Sequence, residues 1–162
     1  MPDKFLQEAQ VMAKKVTDAL GGAGIFGVEF FVCQDGVIFS ELSPRPHDTG
    51  MVTLAPTLNL SEFELHARAI LHLPIKEIRL EHSGASAVIL APQETFSNPD
   101  FTGVDKVLED PYADIRIFGK PLVKPGRRMG VVVKWGEKGT NPALLKEKAR
   151  ELADNVKVVR RK

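Results

Sequence analysis

Two strand-like runs, Ile25 to Cys33 and Val37 to Leu42, are separated only by Gln34, Asp35 and Gly36. Both are rich in β-branched and aromatic residues, and a short Gly-containing spacer between such runs signals an antiparallel hairpin. Each run carries one carboxylate among apolar neighbours, Glu29 in G-I-F-G-V-E-F-F-V and Glu41 in V-I-F-S-E-L. A carboxylate in a buried strand costs several kcal/mol, on the order of 3–5 if left unpartnered. Both can escape that cost by facing solvent on a one-sided strand, or by sharing a partner.

The hairpin arithmetic bears on the choice. A three-residue loop pairs Cys33 with Val37 and sets Glu29 opposite Glu41. Facing Cβ atoms then lie ~4.5–5.5 Å apart, and like charges so placed repel. A divalent cation between them removes the repulsion, since Mg²⁺ takes oxygen ligands, often one or two carboxylates plus substrate phosphates. A two-residue loop would place the two glutamates on opposite faces. A shared metal therefore commits the hairpin to the three-residue loop.

The flanking segments read as a mixed α+β chain. Phe5, Leu6, Ala9, Met12, Ala13, Val16, Ala19 and Leu20 recur at helical spacing, and Gly21 and Gly22 stop the helix, giving residues 3–20. Residues 43–60 read as a long ordered loop. Ser61 with Glu64 forms a capping box for a helix over about 62–72, ending before Pro74. Short β-type runs follow at Ser86–Leu90, Ile115–Phe118 and Met129–Trp135. Asn141 and Pro142 open a helix to about Asn155, and Val156–Val159 reads as a last strand. The change of texture places a boundary near residue 82, with one part over 1–82 and a small β-rich part over 83–162.

Composition narrows the function. Lys and Arg total 22 against 21 Asp and Glu, a formal net charge of +1, which gives no electrostatic case for nucleic acid or a membrane surface. The single cysteine, Cys33, excludes an internal disulfide and fits a reducing cytoplasm; its place at the end of an apolar run suggests core filling. No apolar run approaches the ~18 residues of a membrane span.

From Glu41 the sequence continues E-L-S-P-R-P-H-D-T-G. A strand glutamate followed by a second strand ending in E-x-[N/S/A] resembles the magnesium-binding signature of the ATP-grasp ligases. The extension to H-D-T-G resembles the formate-dependent phosphoribosylglycinamide formyltransferases of purine synthesis. The related carboxyaminoimidazole ribonucleotide synthetases read closer to P-R-P-H-N-S-G here. The resemblance runs on through L-S-E-F-x-L-H-x-R-A, A-S-A-V-I-L, F-G-K-P and G-R-R-x-G. It departs from the wider superfamily at Ser43, where many members have Asn, so Ser43 is only a minor ligand candidate.

The resemblance implies a second half of an ATP-grasp domain, with a metal-binding hairpin over 25–42, followed by a small C-terminal β-rich part. It implies Glu29 and Glu41 as Mg²⁺ ligands and Asp48 as the carboxylate that positions the amine of glycinamide ribonucleotide. Lys120, Arg127 and Arg128 become ligands of the ribonucleotide 5′-phosphate, converging near Asp48 on a hairpin-like excursion turned by Pro121, Pro125 and Gly126. ATP and formate are the other substrates, and the family resembles cytoplasmic homodimers. Taken without the resemblance, Asp48 reads equally as an Asx turn, and the three cations as ordinary solvated residues. Arg45 and His47 either brace the loop or reach a ligand.

No Gly-rich phosphate loop is present in these 162 residues, so the chain alone is expected to be inactive. A stand-alone binding or oligomerisation module is the competing reading, against which all six site residues are retained. Trp135 is expected to pack, His66 and His72 to be structural, His82 to lack partners, and Arg160, Arg161 and Lys162 to form a frayed basic end.

Overall fold

The structure, a computed structural model, describes residues 1–161. The chain forms two compact units, one of residues 1–50 and 62–77, the other of residues 51–61 and 78–162. Residues 51–61 and 78–82 thus fall with the second unit, where the sequence reading put them in the first. The cause is main-chain pairing: Glu81 and His82 N–H groups donate to the Thr57 carbonyl, and Leu58 bridges Leu80.

In the first unit, α1 (Asp3–Leu20) has the expected bounds. The Gly21 N–H closes it on the Thr17 carbonyl, and Gly21 and Gly22 both take positive φ, a conformation glycine adopts without steric cost. β1 (Gly27–Val32) and β2 (Val37–Ser43) follow as an antiparallel hairpin. Residues 43–60 are less irregular than expected, since a 3-10 helix spans Asp48–Leu54. The helix α2 (Glu62–Ile70) ends four residues before Pro74, with the Leu73 N–H returned to the Arg68 carbonyl.

The hairpin does face Glu29 with Glu41, but not through a three-residue loop. Val32 pairs with Val37, so the loop has four residues, closed by a 2.9 Å bond from the Cys33 N–H to the Gly36 carbonyl. Continued unbroken, that register would set Glu29 opposite Ser40 and turn Glu41 to the other face. A β-bulge intervenes: Phe30 pairs with Phe39, Glu29 with Glu41, and Ser40 is the extra residue. A bulge re-aims a side chain by inserting one residue, and here it restores the pairing that the loop alone would lose. The longer loop also corrects the reading of Cys33, which lies in the turn and is exposed.

The second unit is built on a three-stranded antiparallel sheet in the order β3 (Ser83–Leu90), β8 (Arg128–Gly136), β6 (Ala113–Ile117). Two two-stranded ladders flank it in sequence. β4 (Phe96–Ser97) pairs with β7 (Leu122–Val123), and β5 (Pro99–Thr102) pairs with β9 (Lys157–Arg160). These short strands and the one-and-a-half-turn helix α3 (Val104–Leu108) are too brief to show periodicity in sequence. The last helix, α4 (Pro142–Asn155), is capped by the Asn141 side chain, which accepts from the Ala143 N–H at 3.0 Å.

β8 is the central strand, and Met129, Val131, Val132, Val133 and Lys134 are all buried. Met129, Val132, Ile89, Val107, Val123 and Phe96 join Ala153, Val156 and Val158 in one apolar core. The buried Lys134 ammonium is held by Asp110 at 3.1 Å and the Tyr112 carbonyl at 3.2 Å, and it lies over the Tyr112 ring. Trp135 packs edge-on against Tyr112. The His82 ring, expected to have no partner, hydrogen-bonds the Pro56 carbonyl at 2.8 Å. Arg160 belongs to β9 and sits over the Phe96 ring, so it is not frayed; Lys162 lies outside the described residues. No helix among the described residues is long and apolar enough to cross a membrane.

Candidate functional site

The β1–β2 hairpin delivers its two carboxylates to one face, and the loop that follows brings a third group to them. Ligand atoms of Glu29, Glu41 and His47 all lie within 4.8 Å of one another. The His47 ring is pinned on both edges. Its Nε2 is 3.0 Å from Glu29 Oε1, and its Nδ1 is 3.1 Å from Asp48 Oδ1 and 3.2 Å from Thr49 Oγ1. Gly27 lies under this ring, since a Cβ there would come 3.1 Å from the His47 Cβ.

Two facing carboxylates half open to solvent suit a hard divalent cation, which would keep several waters and reach further oxygen donors on a phosphate. The imidazole is a softer donor, and its Nε2 engages Glu29 rather than pointing into open space. His47 thus braces the loop through both ring nitrogens while lying within reach of the carboxylate pair. Arg45 likewise turns back on its own segment, donating to the Pro46 carbonyl at 3.0 Å.

One member of this site went unnoticed in the sequence. Glu62, the first residue of α2, is only 8% exposed. Burial pushes its carboxyl above the usual carboxylate range, opposed by a hydrogen bond from the His47 backbone N–H and by the His47 charge. As a glutamate at a helix start it resembled an ordinary first-turn acid, and nothing local marked it as buried. His66, on the same helix, is structural, accepting the Ile25 N–H at 2.9 Å on Nδ1.

In the second unit, Lys120 and Arg127 lie on the excursion between the paired strands β6 and β8, and Arg128 opens β8. Lys124, Pro125, Gly126 and Arg127 form its tip, with a 3.0 Å bond from the Arg127 N–H to the Lys124 carbonyl and Gly126 at φ +69°. Proline at the second turn position and glycine at the third are what a type II turn requires. The Lys120 ammonium crosses to the Arg128 carbonyl at 2.7 Å and lies 5.2 Å from the Phe118 ring centroid. Arg127 donates to the Leu122 carbonyl at 2.7 Å. Partial burial and the Arg127 charge pull the Lys120 ammonium below the usual lysine range. The Lys120 and Arg127 charges repel each other, and an anion bound beside them relieves that repulsion.

A carboxylate pair set on a hairpin and followed by a Pro-rich loop is the arrangement of an ATP-grasp protein, and residues 1–63 match the ATP-grasp domain family. Residues 84–156 match the family described as PurT, C-terminal. A formate-dependent phosphoribosylglycinamide formyltransferase from Chlorobaculum tepidum is 61% identical over 94% of this chain and 39% of its own length. The chain belongs to the formate-dependent phosphoribosylglycinamide formyltransferase family, and it spans about two-fifths of the length of the curated relatives it matches.

Solved structures agree with the fold. An N5-carboxyaminoimidazole ribonucleotide synthetase from Thermotoga maritima superposes with a TM-score of 0.80 at 29% identity, covering 99% of this chain and 44% of the other. The glycinamide-RNase-transformylase T from Mycobacterium tuberculosis superposes at 0.69 with 32% identity, over 96% and 42%.

Proposed function

We propose that this chain is the metal- and phosphate-bearing part of an ATP- and Mg²⁺-dependent enzyme that formylates glycinamide ribonucleotide with formate. The observation that carries this reading is the paired Glu29 and Glu41 in a chain 61% identical to a relative of that name. In the proposed reaction a formate oxygen attacks the terminal phosphorus of ATP, releasing ADP and leaving formyl phosphate. The substrate amine then attacks the formyl carbon and inorganic phosphate departs.

Glu29 and Glu41 are the proposed Mg²⁺ ligands; the ion, when bound, neutralises phosphate-oxygen charge during transfer. Asp48 holds the substrate amine and is itself oriented by His47 Nδ1. Lys120, Arg127 and Arg128 grip the 5′-phosphate, the arginines through a planar fork suited to paired oxygens. Holding the amine sets the nucleophile's direction, which lowers the entropy cost of acyl transfer. The proposed setting is a cytoplasmic homodimer.

A second reading follows from the 0.80 superposition on the carboxyaminoimidazole ribonucleotide synthetase and from a related synthase solved with 5-aminoimidazole ribonucleotide: the same cations would hold that compound. Calorimetry of this chain with each ribonucleotide separates the two. The formyltransferase reading expects glycinamide ribonucleotide to bind more tightly. It also expects Arg127→Ala to weaken that binding about 10–100-fold, as befits hydrogen bonds to a charged group. Preference for the aminoimidazole compound would transfer the assignment to the second reading, and unchanged affinity in Arg127→Ala would remove the phosphate site.

A further inference from the structure

Resting on the reading above for what the 47–50 loop does, we propose that Glu62 is a positioning residue for it. Glu62 would fix His47 and Asp48 beside Glu29 from beneath, with Gly50 as the position that admits its carboxylate. Three observations carry this. Glu62 opens a helix, where a glutamate ordinarily stands in water and favours the positive helix end, yet only 8% of it is exposed. Its carboxylate accepts the His47 backbone N–H, a charge-assisted bond of the kind that offsets burial. A Cβ built on Gly50 would overlap the same carboxylate.

Gly50 is not among the glycines with positive φ, so its backbone conformation does not call for glycine. Space does. Any larger residue at 50 must push the Glu62 carboxylate aside, and a carboxylate so displaced leaves the His47 N–H. The His47 ring would then lose its fixed place between Glu29 Oε1 at 3.0 Å and Asp48 Oδ1 at 3.1 Å. Glu62 therefore acts through the His47 main chain on the two carboxylates that the His47 ring meets. Groups that orient metal-site residues from behind are usually worth about 10–100-fold in metal affinity.

The test uses this chain, with Mn²⁺ as the probe ion and ¹³C-labelled histidine to follow the His47 ring by NMR. Glu62→Ala and Gly50→Ala should each shift the His47 ring resonances and weaken Mn²⁺ binding about 10–100-fold. Glu62→Gln, which keeps an oxygen acceptor for the His47 N–H, should stay within about threefold of the parent, on the low side of that range. Adding Gly50→Ala to Glu62→Ala should change little further, because the carboxylate that it would strike is gone.

Unchanged His47 resonances in folded Glu62→Ala would overturn the proposal, as would fully additive effects in the double variant. Should Glu62→Ala fail to fold, Gly50→Ala decides alone, since it displaces the carboxylate without deleting it. If the parent chain binds no Mn²⁺, the metal assignment fails, and the His47 resonances still decide the role of Glu62.

Discussion

The β1–β2 hairpin and the β3–β8–β6 sheet are both antiparallel and both rich in β-branched residues, yet they bury them differently. In the sheet, Met129, Val132 and Val133 are fully inaccessible, and helix α4 contributes Leu145, Ala149 and Ala153 as buried residues of the same unit. In the hairpin, Phe31, Val32, Ile38 and Phe39 are exposed, and only Val37 is buried. The sheet unit has an apolar core of its own. The hairpin unit carries the carboxylates and little core, and a two-stranded ladder by itself is marginally stable in water. Apolar patterning alone does not tell a core from a face: the two regions share a composition and differ in whether anything covers them.

Core truncation should separate the regions most sharply. Met129→Ala is expected to cost about 2–5 kcal/mol in chemical denaturation, through lost transfer energy and the cavity left behind. Phe31→Ala, at a position 62% exposed, should change stability by no more than about 0.5 kcal/mol. Comparable losses from both would mean that the hairpin has a hidden core.

Chemistry should separate them in the opposite direction. Glu41→Gln is expected to weaken Mn²⁺ binding on the order of 100-fold, about 2.7 kcal/mol, while the thermal unfolding of the sheet unit stays put. Retained affinity in calorimetry would show that the facing carboxylates are not the ion's ligands.

A smaller effect is expected at the phosphate excursion. Gly126 takes φ +69° with nothing within 4 Å of an added Cβ, so Gly126→Ala meets backbone strain without a clash. A cost of about 1–2 kcal/mol is expected by denaturant titration; a neutral result would show that the turn relaxes into another type.

The smallest effect is in pH dependence. The Lys120 ammonium is lowered by burial and by Arg127, so between its folded and ordinary values the unfolded chain binds a proton that the fold does not. Stability therefore rises with pH across that alkaline window, and Lys120→Met should remove that part of the slope. An anion held by the excursion should flatten it too, by returning the ammonium toward its ordinary range. A slope identical in parent and variant would assign the alkaline change to other groups.

Much of the local structure could be read from residues in order. The glycine stop after Leu20, the Asn141-Pro142 helix start and the Pro125-Gly126 turn are each dictated by neighbours within one turn, because caps and turns depend on local φ and on single side-chain bonds. The pairing of Glu29 with Glu41 was also legible, although for an incomplete reason. Loop length fixes register only while the ladder is unbroken, and the extra residue at Ser40 is invisible to a count that starts from the turn.

The short strands β4, β5 and β7 were not legible, since two to four residues carry no period. Cys33 and Glu62 were misread in complementary ways. An apolar run implied burial for a cysteine that the longer loop leaves exposed, and a helix start implied solvent for a glutamate that the 47–50 loop covers.

The sequence by itself singled out the candidates: Glu29 and Glu41 stand out by their place in an apolar hairpin, and Asp48, Lys120, Arg127 and Arg128 only by the family resemblance. Only the tertiary structure decided how the carboxylate site is held. The bulge at Ser40, the His47 ring between Glu29 and Asp48, and the Glu62 carboxylate over Gly50 join residues up to 18 positions apart in the chain. Such contacts depend on where a loop closes and which side chain loses its water, and both are set by packing between segments rather than by the order of residues within one.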